Sequence, residues 1–185
     1  MLRTSAPLIG ALGVSQCISS SESHKVKTNL TGRCSCGGVT YRISQDALFT
    51  LACHCRDCQR STGSAFVIHL VVAERDFEIS GTTNQSTLPT GSGGGREIHY
   101  CSECATSIWC RYFYHKVAVI AVRGGTLDDT NAIRPQAHIF TRSKQSWVEI
   151  PKNVPAYEEM LVRSEVWSQE SIDKYESLPL RASVE

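Results

Sequence analysis

The sequence predicts a mainly β fold, and two observations carry the prediction. From residue 32 onward the chain runs through short stretches rich in β-branched and aromatic residues, each closed by glycine or polar turn residues. Helical periodicity, by contrast, is confined to the C-terminal part. With 185 residues the chain is long enough for one domain with a real core, and too short for two ordinary domains with a linker.

In chain order, residues 1–29 carry serine, threonine and a weak apolar patch without strand or helix periodicity, and they read as a disordered tail. The alternative is a mitochondrial transit segment, because Arg3, Lys25 and Lys27 are basic and no acidic residue precedes Glu22. A secretory signal is disfavoured, since the patch is short and holds Gly10 and Gly13. The domain proper is expected over 30–160, followed by a partly helical extension over 161–185. Strands are expected at 39–43, 65–72, 77–80, 86–88, 97–101, 107–112, 117–122 and 137–140. Gly91-Ser92-Gly93-Gly94-Gly95 reads as a hairpin connection and not as a phosphate cradle, because no helix start follows it. Minor peripheral helices are expected near 157–161 and over 168–177.

Nineteen lysines and arginines against 18 acids leave a net charge of +1, so no overall field draws the chain to nucleic acid or an anionic membrane. No apolar run approaches the roughly 20 residues needed to span a bilayer. A soluble, cytoplasmic protein acting on a small molecule is expected. The nine cysteines are more informative. Seven of them form one C-x-C (Cys34, Cys36), one C-x-C-x-x-C (Cys53, Cys55, Cys58) and one C-x-x-C (Cys101, Cys104). Pairs this close suit chelation in a reducing compartment, because a disulfide between Cys34 and Cys36 would be strained, whereas side chains two apart on a strand face the same way. Cys17 has no assigned role, and Cys110, beside Trp109 in an apolar strand, reads as a small buried side chain.

Zinc takes four protein ligands where it is structural and three where it is catalytic, and seven sulfurs divide naturally in that way. Cys34-Ser35-Cys36-Gly37-Gly38 and Cys101-Ser102-Glu103-Cys104 form two knuckles, and together they make a four-thiolate site tying the first strand to a much later hairpin. Cys53-His54-Cys55-Arg56-Asp57-Cys58 packs three ligands into six residues and leaves one side of a metal free. Three thiolates on Zn²⁺ carry a net charge of about −1, which favours exchange with a soft thiol held as thiolate, ready to add to a carbonyl carbon. Spacing alone leaves the pairing open, since Cys34 and Cys36 can instead join Cys53 and Cys55, leaving Cys58 with the later pair. His54 is weighed as a fourth ligand or proton carrier, but a strand neighbour between two ligands points to the opposite side. Arg56 and Asp57 read equally as substrate-orienting groups and as solvated turn charges; Arg60 is the better anion contact. His69 and His99 read as structural histidines.

Gly32-Arg33-Cys34-Ser35-Cys36-Gly37-Gly38, the run from Cys53 to Phe66 (CHCRDCQRSTGSAF) and Tyr100-Cys101-Ser102-Glu103-Cys104 closely resemble the glutathione-dependent formaldehyde-activating (GFA)/centromere protein V family. The resemblance runs from Thr31 to Tyr157 and takes in Gly125-Thr126-Leu127-Asp128-Asp129, His138-Ile139-Phe140, Lys144 and Trp147. It implies a β-tent of antiparallel sheets and two zinc ions per chain: a structural one on Cys34, Cys36, Cys101 and Cys104, and a catalytic one on Cys53, Cys55 and Cys58. It also implies a carbon–sulfur lyase run reversibly, combining glutathione with formaldehyde to give S-hydroxymethylglutathione. Ser61, Gly63, Ser64, Phe66 and His138 are then expected on the substrate pocket with Arg60. Ala105 stands where the family commonly has glycine. Three rival readings stay open: a non-catalytic thiol-binding module, a zinc-stapled interaction or nucleic-acid module, and a zinc enzyme that dehydrates, hydrolyses or rearranges a secondary metabolite without glutathione.

Overall fold

The computed structural model describes residues 29–90 and 94–181, so Cys17, nearly all of the expected tail and part of the glycine-rich connection lie outside the described residues. In chain order the described elements are β1 (Leu30–Arg33), β2 (Thr40–Ile43), β3 (Phe49–Cys53), α1 (Arg56–Thr62), β4 (Val67–Ala73), β5 (Phe77–Ser80), β6 (Thr83–Leu88) and β7 (Arg96–Cys101). They continue with β8 (Ser107–Tyr112), β9 (Val119–Arg123), β10 (Ala137–Ile139), α2 (Arg163–Val166) and α3 (Gln169–Glu176). The fold is mainly β, as expected. A three-stranded sheet runs β1-β2-β5, and a seven-stranded sheet runs β10-β3-β4-β9-β8-β7-β6. Neighbours are antiparallel except β10, which lies parallel to β3 with Ile139 opposite Cys53.

The near-continuous apolar runs of β4 and β9 have a simple cause: both strands are covered on both faces. Alternation sends Leu70, Val72, Ile120 and Val122 toward the small sheet, where they meet Val39, Tyr41 and Ile43. It sends Val67, Val71 and Val119 to the opposite face, where they meet Phe49, Cys53, Trp167 and Tyr175. β1 escaped prediction because Gly32 breaks its short run, yet the glycine is required there. A Cβ at Gly32 would lie 2.2 Å from the Tyr41 ring, whose hydroxyl bonds Thr126 Oγ1 at 2.8 Å.

The C-terminal helices lie outside the sheets but anchor into them. Trp167 stacks on Phe49 with ring centroids 5.4 Å apart, and Tyr175 meets Trp167 edge-on. The helix expected near 157–161 is absent. That segment runs irregularly beside β10, where Tyr157 N–H donates to His138 O and Phe140 N–H donates to Glu159 O. The edge of β10 carries backbone groups that need partners, and satisfying them outweighs the weak helical pattern. Among the described residues no helix is long and apolar enough to cross a membrane.

His115 joins the C-terminal segment to the sheet through a 2.9 Å contact between its Nδ1 and Tyr175 Oη. Burial, then the charges of Arg163 and Arg181, lower its pKa from 6.5 to about 3. The unfolded chain therefore binds the extra proton first, so the stability His115 confers is complete above about pH 6.5 and is lost as pH falls toward 3. Wild type is expected to lose about 2 kcal/mol more than His115→Phe between pH 7 and pH 5, read from urea denaturation at the two pH values.

Candidate functional site

The four-cysteine group joins the end of one sheet to a hairpin of the other. Cys34 directly follows β1, Cys36 lies in the turn after it, Cys101 ends β7 and Cys104 lies in the β7–β8 turn. Their Sγ atoms all lie within 4.8 Å of one another, with Cys34–Cys36 at 3.4 Å and Cys36–Cys101 at 3.7 Å. Sulfurs at about 2.3 Å from a tetrahedral zinc stand about 3.8 Å apart, so the spacing fits the ion. Thr106 stitches the two knuckles together: its hydroxyl contacts Cys104 Sγ at 3.1 Å, accepts from Ser35 N–H at 3.2 Å and donates to Ser35 Oγ at 3.0 Å. Hydrogen bonds to the Thr106 side chain and backbone pull Cys104 down to about 5. Although Gly38 N–H favours the Cys36 thiolate, Cys34 and Cys104 push Cys36 up to about 12. Thiols this crowded cannot all ionise without a cation among them, which is what a metal supplies.

Ala105 resolves the one departure in this motif. Its φ is +56°, in the left-handed region, so the turn that glycine would take freely is kept at a steric cost, with Ala105 N–H bonded to Cys101 O at 3.0 Å.

The three-cysteine group sits at a strand–helix junction. Cys53 ends β3, Cys55 is the N-cap of α1 with its sulfur accepting from Cys58 N–H at 3.3 Å, and Cys58 lies in the first turn. Gly63 closes the helix at φ +63° with its N–H on Gln59 O. This helix was not predicted, because seven residues, six of them polar, between a cysteine cap and a glycine show no apolar period. The three Sγ atoms lie within 4.8 Å of one another, so the structure groups the seven sulfurs as four and three and separates Cys34 and Cys36 from Cys53 and Cys55.

Three side chains surround the buried sulfur of Cys58: Arg96 Nη1 and His69 Nε2 at 3.6 Å, and Tyr112 Oη at 3.8 Å. Arg123 Nη1 lies 3.3 Å from both His69 ring nitrogens. Hydrogen bonds from Cys53 and Cys55, then His69, hold the Cys58 thiol far below its usual range, while Cys55 and Cys58 drive Cys53 far above it. Burial opposes the Arg96 charge, and Tyr112 and Cys58 more than offset it, so its pKa is raised. Burial keeps His69 low and Tyr112 high, leaving both neutral at pH 7.

A cavity of about 570 Å³ opens beside this cluster. Cys53, Cys55, His69, Arg96 and Tyr112 form its polar side, and Leu51, Val71, Ala121, Ile139 and Met160 form its apolar side. Arg56 and Asp57 also reach it, as do Arg142 and Glu159, which pair at 2.5 Å.

Several residues expected on the pocket lie elsewhere. Arg60, Ser61, Gly63 and Ser64 are exposed on the far end of α1, which leads away from the sulfurs. His138 faces His54, Nδ1 to Nε2 at 2.8 Å, with Phe66 against the His54 ring at 5.1 Å, and none of these three lines the cavity. His54 thus turns away from the sulfurs; burial, then His138 and Lys144, lower it to about 4. Cys110 is fully buried. Sequence reading did not assign Arg96, Tyr112 and Arg123 to the site. The signal was available: Arg123 ends the otherwise apolar Val119–Arg123, and Arg96 opens a strand with a buried face.

The sequence profile described as glutathione-dependent formaldehyde-activating enzyme matches residues 29–143. A Halomonas elongata protein provisionally named a glutathione-dependent formaldehyde-activating enzyme is 26% identical over 128 residues, covering 65% of this chain and 80% of the relative. A Rhodobacter sphaeroides protein of known crystal structure is 15% identical with a TM-score of 0.44, covering 69% of this chain and 98% of its own.

Relief of the left-handed alanine makes Ala105→Gly expected to stabilise the protein by about 1 kcal/mol, visible as a higher denaturation midpoint. The two sulfur groups make two metal ions per chain the expected content after purification under reducing conditions. Cys55→Ser is expected to retain one with the fold intact, by elemental analysis and circular dichroism; loss of both ions would count against independent sites.

Proposed function

The chain belongs to the glutathione-dependent formaldehyde-activating enzyme family, and on that premise we propose that it is a zinc-dependent carbon–sulfur lyase joining glutathione, or a similar thiol, to formaldehyde or a related small electrophile. The observation that carries this is the set of three converging thiols, Cys53, Cys55 and Cys58, of which Cys53 and Cys55 stand on the wall of a cavity large enough for a tripeptide thiol. Cys34, Cys36, Cys101 and Cys104 hold the structural zinc in this reading. A zinc ion on the three-cysteine set supplies an open position that lowers the pKa of a bound thiol, so that it is a thiolate at neutral pH.

The residues of the chain then do the rest. Arg56 and Arg142 stand on the cavity wall to meet the substrate carboxylates, with Asp57 and Glu159 beside them for an ammonium group. Met160 and Ile139 exclude water from the reacting atoms. The thiolate sulfur attacks the carbonyl carbon; a carbon–sulfur bond forms, the carbonyl π pair moves to oxygen, and that oxygen takes up one proton to give the hydroxymethyl thioether. Tyr112 Oη, on the cavity wall 3.8 Å from Cys58 Sγ, donates a hydrogen bond to the oxygen as its charge develops. Lyase action is the reverse. Thiols reserved for chelation suit a reducing compartment such as the cytoplasm.

The measurement is exchange between free and hemithioacetal formaldehyde by NMR. Wild type is expected to accelerate it, Cys55→Ser to abolish the acceleration, and Tyr112→Phe to lower it roughly tenfold to a hundredfold. Zinc-dependent thiol affinity without acceleration would instead identify a thiol-binding module.

A further inference from the structure

Two arginines are buried behind the three sulfurs without a carboxylate. Arg96 is 2% exposed and Arg123 is 4% exposed, and the guanidinium stays charged at any pH the protein meets. No ion pair among the described residues uses Arg96 or Arg123. Arg96 Nε and Arg123 Nη2 have no hydrogen-bond partner among the described residues. The contacts these side chains do make are to neutral groups and to sulfur: Arg96 to Asp57 O at 3.2 Å and Cys58 Sγ at 3.6 Å, and Arg123 to Ser107 Oγ and to the His69 ring, all at 3.3 Å. Buried cations are costly unless an anion answers them, and the anion within reach here is the sulfur set.

The charges can be summed on the reading of the site given under Proposed function, on which this inference rests. Three thiolates and a divalent metal total −1, and two arginines bring the buried cluster to +1. The remaining charges on the cavity wall cancel, Arg56 against Asp57 and Arg142 against Glu159. An anionic fourth ligand brings the cluster to zero, whereas water or another neutral donor leaves a net buried charge. We infer that Arg96 and Arg123 are the fixed counter-charges that set the three-cysteine centre to accept an anionic fourth ligand, a thiolate, in preference to a neutral one. Arg96 acts directly on Cys58 and Arg123 acts through His69, so both are positioning residues.

The test uses the full chain loaded with Co²⁺, whose visible absorption reports ligands at the open position without turnover. Wild type, Arg96→Gln and Arg96→Lys are titrated with glutathione and, separately, with imidazole as the neutral ligand. Arg96→Gln, which removes the charge and keeps N–H donors, is expected to weaken thiol binding by about tenfold or more and to leave imidazole affinity nearly unchanged. Arg96→Lys is expected to restore most of the thiol affinity. Arg123→Gln is the second variant, with the same expected split, should Arg96→Gln fail to fold. Equal weakening of both ligands, or unchanged thiol affinity in the neutral variants, overturns the inference alone. Cobalt bands that glutathione leaves untouched in wild type overturn the thiol-binding reading itself and this one with it.

Discussion

The central strands of the seven-stranded sheet, β4 and β9, are covered on both faces, and the chemistry of the site depends on that constraint. The small sheet packs on one side and the C-terminal segment with Trp167 and Tyr175 packs on the other, so no residue of β4 or β9 is exposed, and that second face borders the cavity. A polar side chain on these strands must find its partner inside the protein. His69 on β4 and Arg123 on β9 do so by converging with Arg96 and Tyr112 behind the sulfur of Cys58. Burial, which elsewhere only builds the core, here concentrates two cations against a cluster of thiols.

The two cysteine groups answer different structural problems. Cys34 and Cys36 leave β1 at one edge of the small sheet, and Cys101 and Cys104 leave β7 in the large one, so their convergence links two sheets that share no strand. Hydroxyls of Thr106 and Ser35 support it near the surface, where Cys36 is exposed. The other group is local in sequence, made by one strand end, one helix cap and one helical turn, and it opens on the cavity. A linking site gains from being closed. The site beside a cavity lined by Arg96 and Tyr112 has room for a guest and charges to receive it.

The positions of most strands were legible because their alternation or apolar continuity survives in the sequence, as in Phe77–Ser80 and Ser107–Tyr112, whose bounds match expectation. β1, β3 and α1 were not. β1 depends on the close approach of Tyr41 to Gly32, and α1 depends on a cysteine cap and on Gly63, neither of which leaves a periodic trace. The segment expected to be helical near 157–161 is not, because β10 has an edge to satisfy, a need that belongs to the partner strand and not to the segment.

Residue type and spacing alone determined that seven cysteines occur as two knuckles and a tight triplet that could hold metal ions, and that the chain is mainly β. Local chemistry suffices for these, since thiols two or three residues apart on a strand or turn can reach one metal ion. Tertiary structure decided which pairs meet and what surrounds the triplet. Arg60, Ser61 and Ser64, close to Cys58 in sequence, turn to solvent along α1, while Arg96, Tyr112 and Arg123, distant in sequence, close around the sulfur. Those neighbours come from β4, β7, β8 and β9 through strand register and burial, and long-range pairing of that kind is not written in the spacing of any one motif.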